Sequence, residues 1–268
     1  MKTLSFVIPV YNEEQRLGKT FKALKDFVTP NGLKLSEVIF VDDGSVDRTK
    51  AIIKANQKAI EKTLEAKIRI VSYGKNRGKG YAVKQGMLAS DASYTLFFDA
   101  DISTPLTELS KFMPFVVKDA DVIIGTRKNG KSTVLEHQPK LRESLGKAFT
   151  LITKTFLRLK VTDFTCGFKM FSKEAKNKVF AKSAIETWGY DAEILYLANK
   201  FKYPIFEKAV TWSNDKNTKV KLYKAIPQTF YELFLIYWNH EIKPTLLFMN
   251  KNLNIINRYG VFVSKNGI

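Results

Sequence analysis

Leu4 to Val10 is a short apolar run of mostly β-favouring residues, and behind the polar Asn12-Glu13-Glu14 the chain places Leu17, Phe21, Leu24 and Val28 at helical spacing. The pattern predicts a strand followed by a helix. It then repeats: Glu37 to Val41 reads as a strand, Asp42-Asp43-Gly44-Ser45 as a turn, and Asp47 to about Leu64 as an amphipathic helix. Ile68 to Tyr73 gives a third strand, and a turn containing Gly74, Gly78 and Gly80 leads into a helix through Leu88. Tyr94 to Phe98 predicts a fourth strand ending in Asp99-Ala100-Asp101, and Asp121 to Gly125 a fifth.

Strands alternating with helices imply βαβ crossovers and a mainly parallel, Rossmann-like sheet with helices on both faces. In such α/β sheets, ligands bind outside the carboxyl ends of the strands. Polar residues gather at those ends: Tyr11 to Glu13, Asp42 with Asp43, Asn76 to Lys79, and Asp99 with Asp101. After Arg127 the regularity fades. Lys128 to Lys140 reads as a mobile basic loop, Leu141 to Leu159 as a helix, and Thr162 to Phe171 as irregular and strand-like; Trp188 to Asn199 is helical, and Ile205 to Trp212 is a late strand. From there the composition shifts to aromatic and aliphatic stretches broken by Pro227 and Pro244. This divides the chain into a catalytic domain over 1–220 and a C-terminal helical appendage over 221–268.

Lys and Arg outnumber Asp and Glu by 44 to 26, a surplus of 18 positive charges that attracts polyanions: nucleic acid, anionic lipid or phosphorylated substrates. Cys166 is the single cysteine, which excludes an intramolecular disulfide, and with only His137 and His240 beside it a zinc cluster is not indicated. No window of about 20 apolar residues predicts a membrane span. Met1-Lys2-Thr3-Leu4 runs directly into the first strand, so the expectation is a cytoplasmic protein without a signal peptide.

Asp99-Ala100-Asp101 closes an apolar strand, where two carboxylates can approach one divalent cation, Mg2+ or Mn2+; a solvated turn is the plainer alternative. Asp42 and Asp43 have two possible uses, accepting hydrogen bonds from a base or ribose, or capping the following helix. Asn76-Arg77-Gly78-Lys79-Gly80 has the composition of a phosphate cradle without the spacing of a P-loop or a dinucleotide fingerprint.

Taken in order, these segments resemble glycosyltransferase family 2, inverting enzymes of the type A glycosyltransferase fold, from about Leu4 to Trp212. Val7 to Glu13 is similar to the family's opening motif, in which the positions of Pro9, Tyr11 and Glu13 line the nucleotide pocket. Val41 to Ser45 is similar to the second motif, which assigns Asp42 and Asp43 to the donor. Asn76 to Gly80 is similar to the Asn-x-Gly-Lys-Gly segment, which brings Gly78 and Lys79 to it. Asp99-Ala100-Asp101 is similar to the metal-binding motif, with Ala100 also facing the donor. Gly125-Thr126-Arg127, Thr162 to Phe171 and Trp188 to Glu193 resemble the branch that makes polyprenyl-phosphate sugars, above all dolichyl-phosphate β-glucosyltransferases, with the mannosyltransferases as cousins.

The resemblance implies a nucleoside-diphosphate sugar donor and a polyprenyl (dolichyl or undecaprenyl) phosphate acceptor. Ser103 stands where the mannosyl cousins carry Gln; it is the candidate third metal ligand, and the difference points to UDP-glucose. Eukaryotic glucosyl relatives carry an N-terminal membrane helix that this chain does not show, which suggests a prokaryotic enzyme. The acceptor phosphate is expected at Arg127, Arg142 and Lys169, because guanidinium forks suit phosphate oxygens, with Asp163 orienting an arginine. Trp188 and Asp191 are expected at the sugar and acceptor end. The catalytic set is then Asp99, Asp101, Arg127, Asp163 and Asp191. Phe230, Tyr231, Leu233, Phe234, Tyr237, Trp238, Leu246, Leu247 and Phe248 fit interfacial helices on the inner face of the cell membrane.

Two rival readings remain. A glycan or protein hydroxyl acceptor would need a carboxylate base, for which Asp163, Asp191 and Glu193 are candidates. A basic nucleic-acid-binding protein would make no use of Asp99 or Asp101, and no nucleic-acid motif is visible.

Overall fold

The computed structural model describes residues 1–128, 132–136, 140–214 and 222–248. Its strands are β1 (Lys2–Val10), β2 (Leu33–Asp42), β3 (Lys67–Ser72), β4 (Tyr94–Phe98), β5 (Val122–Thr126), β6 (Val134–Glu136), β7 (Phe168–Ser172), β8 (Ile205–Ala209) and β9 (Trp212–Ser213). The helices are α1 (Leu17–Lys25), α2 (Thr49–Leu64), α3 (Lys79–Ala89), α4 (Met113–Val116), α5 (Lys140–Phe156), α6 (Lys173–Lys182), α7 (Tyr190–Lys200) and α8 (Leu222–Tyr237), the last running into a π-helical turn at Trp238–Ile242.

Seven strands form one sheet in the order β3-β2-β1-β4-β7-β5-β8. β1 pairs in parallel with β2 and β4, β2 with β3, and β5 with β8, whereas β7 runs antiparallel to both β4 and β5. Alternate side chains along the strands enter two separate cores. Phe6, Ile8, Val38, Phe40, Leu96 and Phe98 pack under Leu17, Phe21 and Leu24 of α1 and Ile53 and Ile60 of α2. Val7, Ile39, Val41 and Phe97 face the opposite way, against Val83 and Met87 of α3, Val179 of α6, Leu195 of α7, and Leu233 and Ile236 of α8. Each such fully buried side chain contributes about 1.5–3 kcal/mol. The mainly parallel sheet with helices on both faces is therefore as expected, and α8 joins the same core as the strands.

The late strand expected over Ile205 to Trp212 is broken at Val210-Thr211 into β8 and β9, and β9 pairs with β6, a strand inside the stretch expected to be a mobile loop. Within that stretch 129–131 and 137–139, and in the expected appendage 221 and 249–268, lie outside the described residues. Among the described residues, no helix is long and apolar enough to cross a membrane.

Candidate active site

The carboxyl ends of β1, β2 and β4 lie side by side, and their turns are tied together by hydrogen bonds that the sequence assigns to polar residues. Asn12, at a φ of 52° that asparagine tolerates better than most residues, accepts from the Val46 N–H and donates its own N–H to Ser45 Oγ. Asp42 Oδ1 accepts from the Ser45 N–H at 3.0 Å, closing an Asx turn. Asp43 reaches the other way: its carboxylate accepts from Asn76 Nδ2 at 2.8 Å, the Arg77 N–H at 2.8 Å and the Gly78 N–H at 2.9 Å. Asp42 thus makes the turn that leads toward α2, and Asp43 organises the glycine-rich segment, a use distinct from the two read from the sequence. Tyr11 is 39% exposed at the end of β1, just past the half-buried Pro9, and Glu13 pairs with Arg16.

Gly78 adopts a φ of 112°, which a side chain would strain, and from it α3 begins with Lys79. Lys79 Nζ lies 2.5 Å from Asp99 Oδ1. Burial works against the charge on Lys79, but Asp99, Asp191 and Asp101 outweigh it and raise its pKa. Past β4 the chain turns tightly. Ile102 is held at a φ of 51°, unusual for a β-branched residue, and its N–H donates to the Asp99 carbonyl. That turn brings Asp101 back beside Asp99, and the Ser103 N–H donates to Asp101 Oδ1 at 2.9 Å. Buried Ala100 turns its carbonyl to the Thr20 hydroxyl at 2.6 Å.

Three observations show that this pair suits a divalent cation. Burial and the neighbouring Asp99 both push the Asp101 carboxyl above the usual carboxylate range. Asp99 Oδ1, despite its charge contact with Lys79, has no hydrogen-bond donor in proper geometry among the described residues. The backbone at Gly167 leaves the Asp99 carboxylate a recess that a Cβ would fill. Among the described residues, no third His, Cys, Asp or Glu joins the pair, so two protein carboxylates leave most of an ion's coordination to oxygens from elsewhere.

A second charged cluster forms past the end of β5, close enough that Arg127 and Asp99 feel each other's charge. Arg127, at the end of β5, donates from Nε to Asp163 Oδ2 at 2.7 Å and from Nη2 to Asp163 Oδ1 at 2.9 Å; Nη2 also reaches Thr165 Oγ1. Burial of Asp163 would raise its pKa, but Arg127, with Lys128 3.8 Å away, holds it well below the carboxylate range. Lys128 was not singled out by sequence. Its Nζ donates to the Gly146 carbonyl and Thr150 Oγ1 on α5, and burial together with Arg127 lowers its pKa. Arg142 lies on the same helix, with its side chain outside the described residues.

Lys169, expected at the acceptor phosphate, is fully buried in β7 and donates to Asp191 Oδ1 at 2.5 Å and the Cys166 carbonyl at 2.7 Å. Its charge is committed to Asp191 and its amine is closed off from solvent. Asp191, raised by burial and only partly offset by Lys169 and Lys79, shares an electrostatic environment with Asp99. Trp188 is 45% exposed. Cys166 is enclosed, and burial pushes its thiol up to about 12.

The chain has relatives among known proteins in sequence and in fold. The chain matches the family model described as glycosyl transferase family 2 over residues 5–180. It is 34% identical over 226 residues to dolichyl-phosphate beta-glucosyltransferase from Dictyostelium discoideum, covering 81% of this chain and 68% of that one. Against the Homo sapiens protein of the same name the identity is 33% over 231 residues, with 82% and 70% covered. Among solved structures, glucosyl-3-phosphoglycerate synthase from Mycobacterium tuberculosis, in complex with Mn2+, uridine diphosphate and glucosyl-3-phosphoglycerate, superposes with a TM-score of 0.63 at 17% identity, over 88% of this chain and 79% of that one. Staphylococcus aureus TarS 1–349 gives 0.57 at 18% identity, over 89% and 65%, so these two share the fold. On the strength of the matched model and of relatives aligned over most of their length, the chain belongs to glycosyl transferase family 2.

Proposed function

We propose that the chain transfers glucose, with inversion, from UDP-glucose to the phosphate of a polyprenyl lipid. The observation that carries the reading is a pair of neighbouring carboxylates past the end of β4, Asp99 and Asp101, with Lys79 on Asp99 and the buried Arg127 guanidinium near enough to feel the charge of Asp99. Relatives named dolichyl-phosphate beta-glucosyltransferase support the choice of sugar and acceptor. Structural neighbours holding Mn2+ or Mg2+ with uridine diphosphate support the choice of metal and nucleotide.

Asp99 and Asp101 would hold Mg2+ or Mn2+, which as a Lewis acid offsets the charge that grows on the diphosphate as the glycosidic bond breaks. Lys79 adds a fixed positive charge from the start of α3, and Asp43 fixes the turn that delivers it. The Ser103 N–H holds Asp101 in place. On the acceptor side, Arg127 and Lys128 outnumber Asp163, leaving a net positive charge for a phosphate. A phosphomonoester, with a second pKa near 6, is largely dianionic at neutral pH and needs no base to attack the anomeric carbon. Holding the two anionic reactants in line is then the main task.

The residues that could have served a hydroxyl acceptor as base are otherwise engaged. Asp163 is bound to Arg127, Asp191 to Lys169, and Glu193 is fully buried against the Ala184 and Ile185 N–H groups. This favours the phosphate acceptor. We also place α8 at a membrane surface, with Phe230, Tyr231 and Phe234 about half exposed, on the inner face of the cell membrane.

The test incubates purified protein with Mn2+, radiolabelled UDP-glucose or GDP-mannose, and polyprenyl phosphate, and counts label extracted into organic solvent. Lipid-soluble label from UDP-glucose is expected. Label that stays aqueous, on a glycan or protein, would overturn the acceptor assignment.

A further inference from the structure

We propose that Glu232 of α8 is a positioning residue for the donor diphosphate, acting through the Thr187–Gly189 turn on the segment that carries Lys79. The inference rests on the donor reading above. Glu232 is a charged residue inside the apolar face of α8 and is only 3% exposed. Its carboxylate accepts the Gly189 N–H at 2.5 Å, the Thr187 hydroxyl, and Gln228 Nε2 at 2.9 Å; Gln228 also donates to Thr187 Oγ1 at 3.0 Å. The fit is close, since a Cβ at Gly189 would stand 2.7 Å from Glu232 Oε2.

The turn so held continues back into Ile185 and Glu186, whose carbonyls form the floor under the glycine-rich segment. The Tyr81 N–H donates to the Glu186 carbonyl at 3.1 Å. A Cβ at Gly78 would lie 2.6 Å from that oxygen, and one at Gly80 would lie 2.7 Å from the Ile185 carbonyl. Arg77 adds an ion pair to the Glu186 side chain. Lys79 sits between the two glycines, with Nζ on Asp99. A chain of direct contacts thus runs from Glu232 to the metal-binding carboxylates without Glu232 itself reaching them. An apolar residue at 232 would pack beside Leu233 and Ile236 at lower desolvation cost, so what the carboxylate alone supplies is a fixed turn.

The test is calorimetric titration of the full chain with UDP in the presence of Mn2+, together with steady-state kinetics. Glu232→Gln leaves one acceptor where two are needed and is expected to weaken UDP binding about tenfold. KM for the nucleotide-sugar should rise in step, with a smaller change in kcat and no change in KM for the lipid phosphate. Thr187→Val, which removes one donor and keeps the shape, should shift UDP affinity the same way by a smaller factor, and it decides the matter if Glu232→Gln fails to fold. Ile60→Val, on the far face of the sheet, controls for destabilisation and should keep UDP affinity unchanged. Unaltered UDP affinity in folded Glu232→Gln or Thr187→Val overturns the inference. If the unsubstituted chain binds no UDP, the donor reading fails and this inference fails with it.

Discussion

Gly167 lies so close to Asp99 that a single added carbon would fall on the carboxylate. Gly167→Ala should therefore displace the Asp99 side chain or the strand end behind it and reduce metal-dependent transfer by about 10²-fold. Gly18, in the first turn of α1, has no described atom within 4 Å of an added Cβ, so Gly18→Ala should keep full activity and gain up to about 0.5 kcal/mol of stability. Parallel transfer assays and urea melts on the two variants check the pair.

Lys79 makes a charge contact with Asp99 Oδ1 without a well-aligned hydrogen bond, so it competes with a cation for that oxygen while supplying charge to the donor. Lys79→Met should bind Mn2+ more tightly than the unsubstituted chain when no nucleotide is present, yet transfer glucose more slowly. The stability cost should be small, about 1 kcal/mol or less, because both side chains retain partial solvent access. Calorimetry with Mn2+ alone separates the two effects.

Asp163→Asn leaves Arg127 buried without its counter-charge and should cost about 3 kcal/mol. The pH dependence has a definite sign. The folded-state pKa of Asp163 is held below its unfolded value, so its contribution is fully present above the unfolded value, about 4, and is lost as pH falls through the folded one. Urea unfolding of the unsubstituted protein between pH 7 and 3, set against Asp163→Asn, should show the gap between the two narrowing only at the acid end.

Cys166 should remain an unreactive thiol at pH 8, since burial has pushed it up to about 12 and encloses it. Iodoacetamide treatment followed by mass spectrometry should find it unmodified in the native protein and modified in urea.

Much of this arrangement was legible in the sequence because it depends on local pattern. The apolar runs that end in Asn12, Asp42 and Asp99 mark strand ends without reference to the rest of the chain, and parallel strands bring those ends together. The direction of β7 was not legible: an apolar run predicts a strand but not which way it runs, and here it lies antiparallel between β4 and β5. That placement buries Lys169, a residue whose type suits the acceptor phosphate, and pairs it with Asp191, 22 residues away. Lys128 opens a stretch whose basic, polar composition reads as a loop, although its position beside Arg127 at a strand end is a usable signal. Glu232 carried a signal too, as an acidic residue in an otherwise apolar helical run, but its partners at Thr187 and Gly189 are set only by how α8 packs. The left-handed turn at Ile102 has no sequence signature, since isoleucine is among the residues least suited to it.

The most direct measurement is anomalous scattering from crystals grown with Mn2+ and UDP. A manganese peak is expected against the Asp99 and Asp101 carboxylates, with the diphosphate reaching the same ion and Lys79 drawn toward its oxygens. A diphosphate bound elsewhere, or well-ordered UDP with no manganese at that pair, would contradict the assignment on which the proposed chemistry depends.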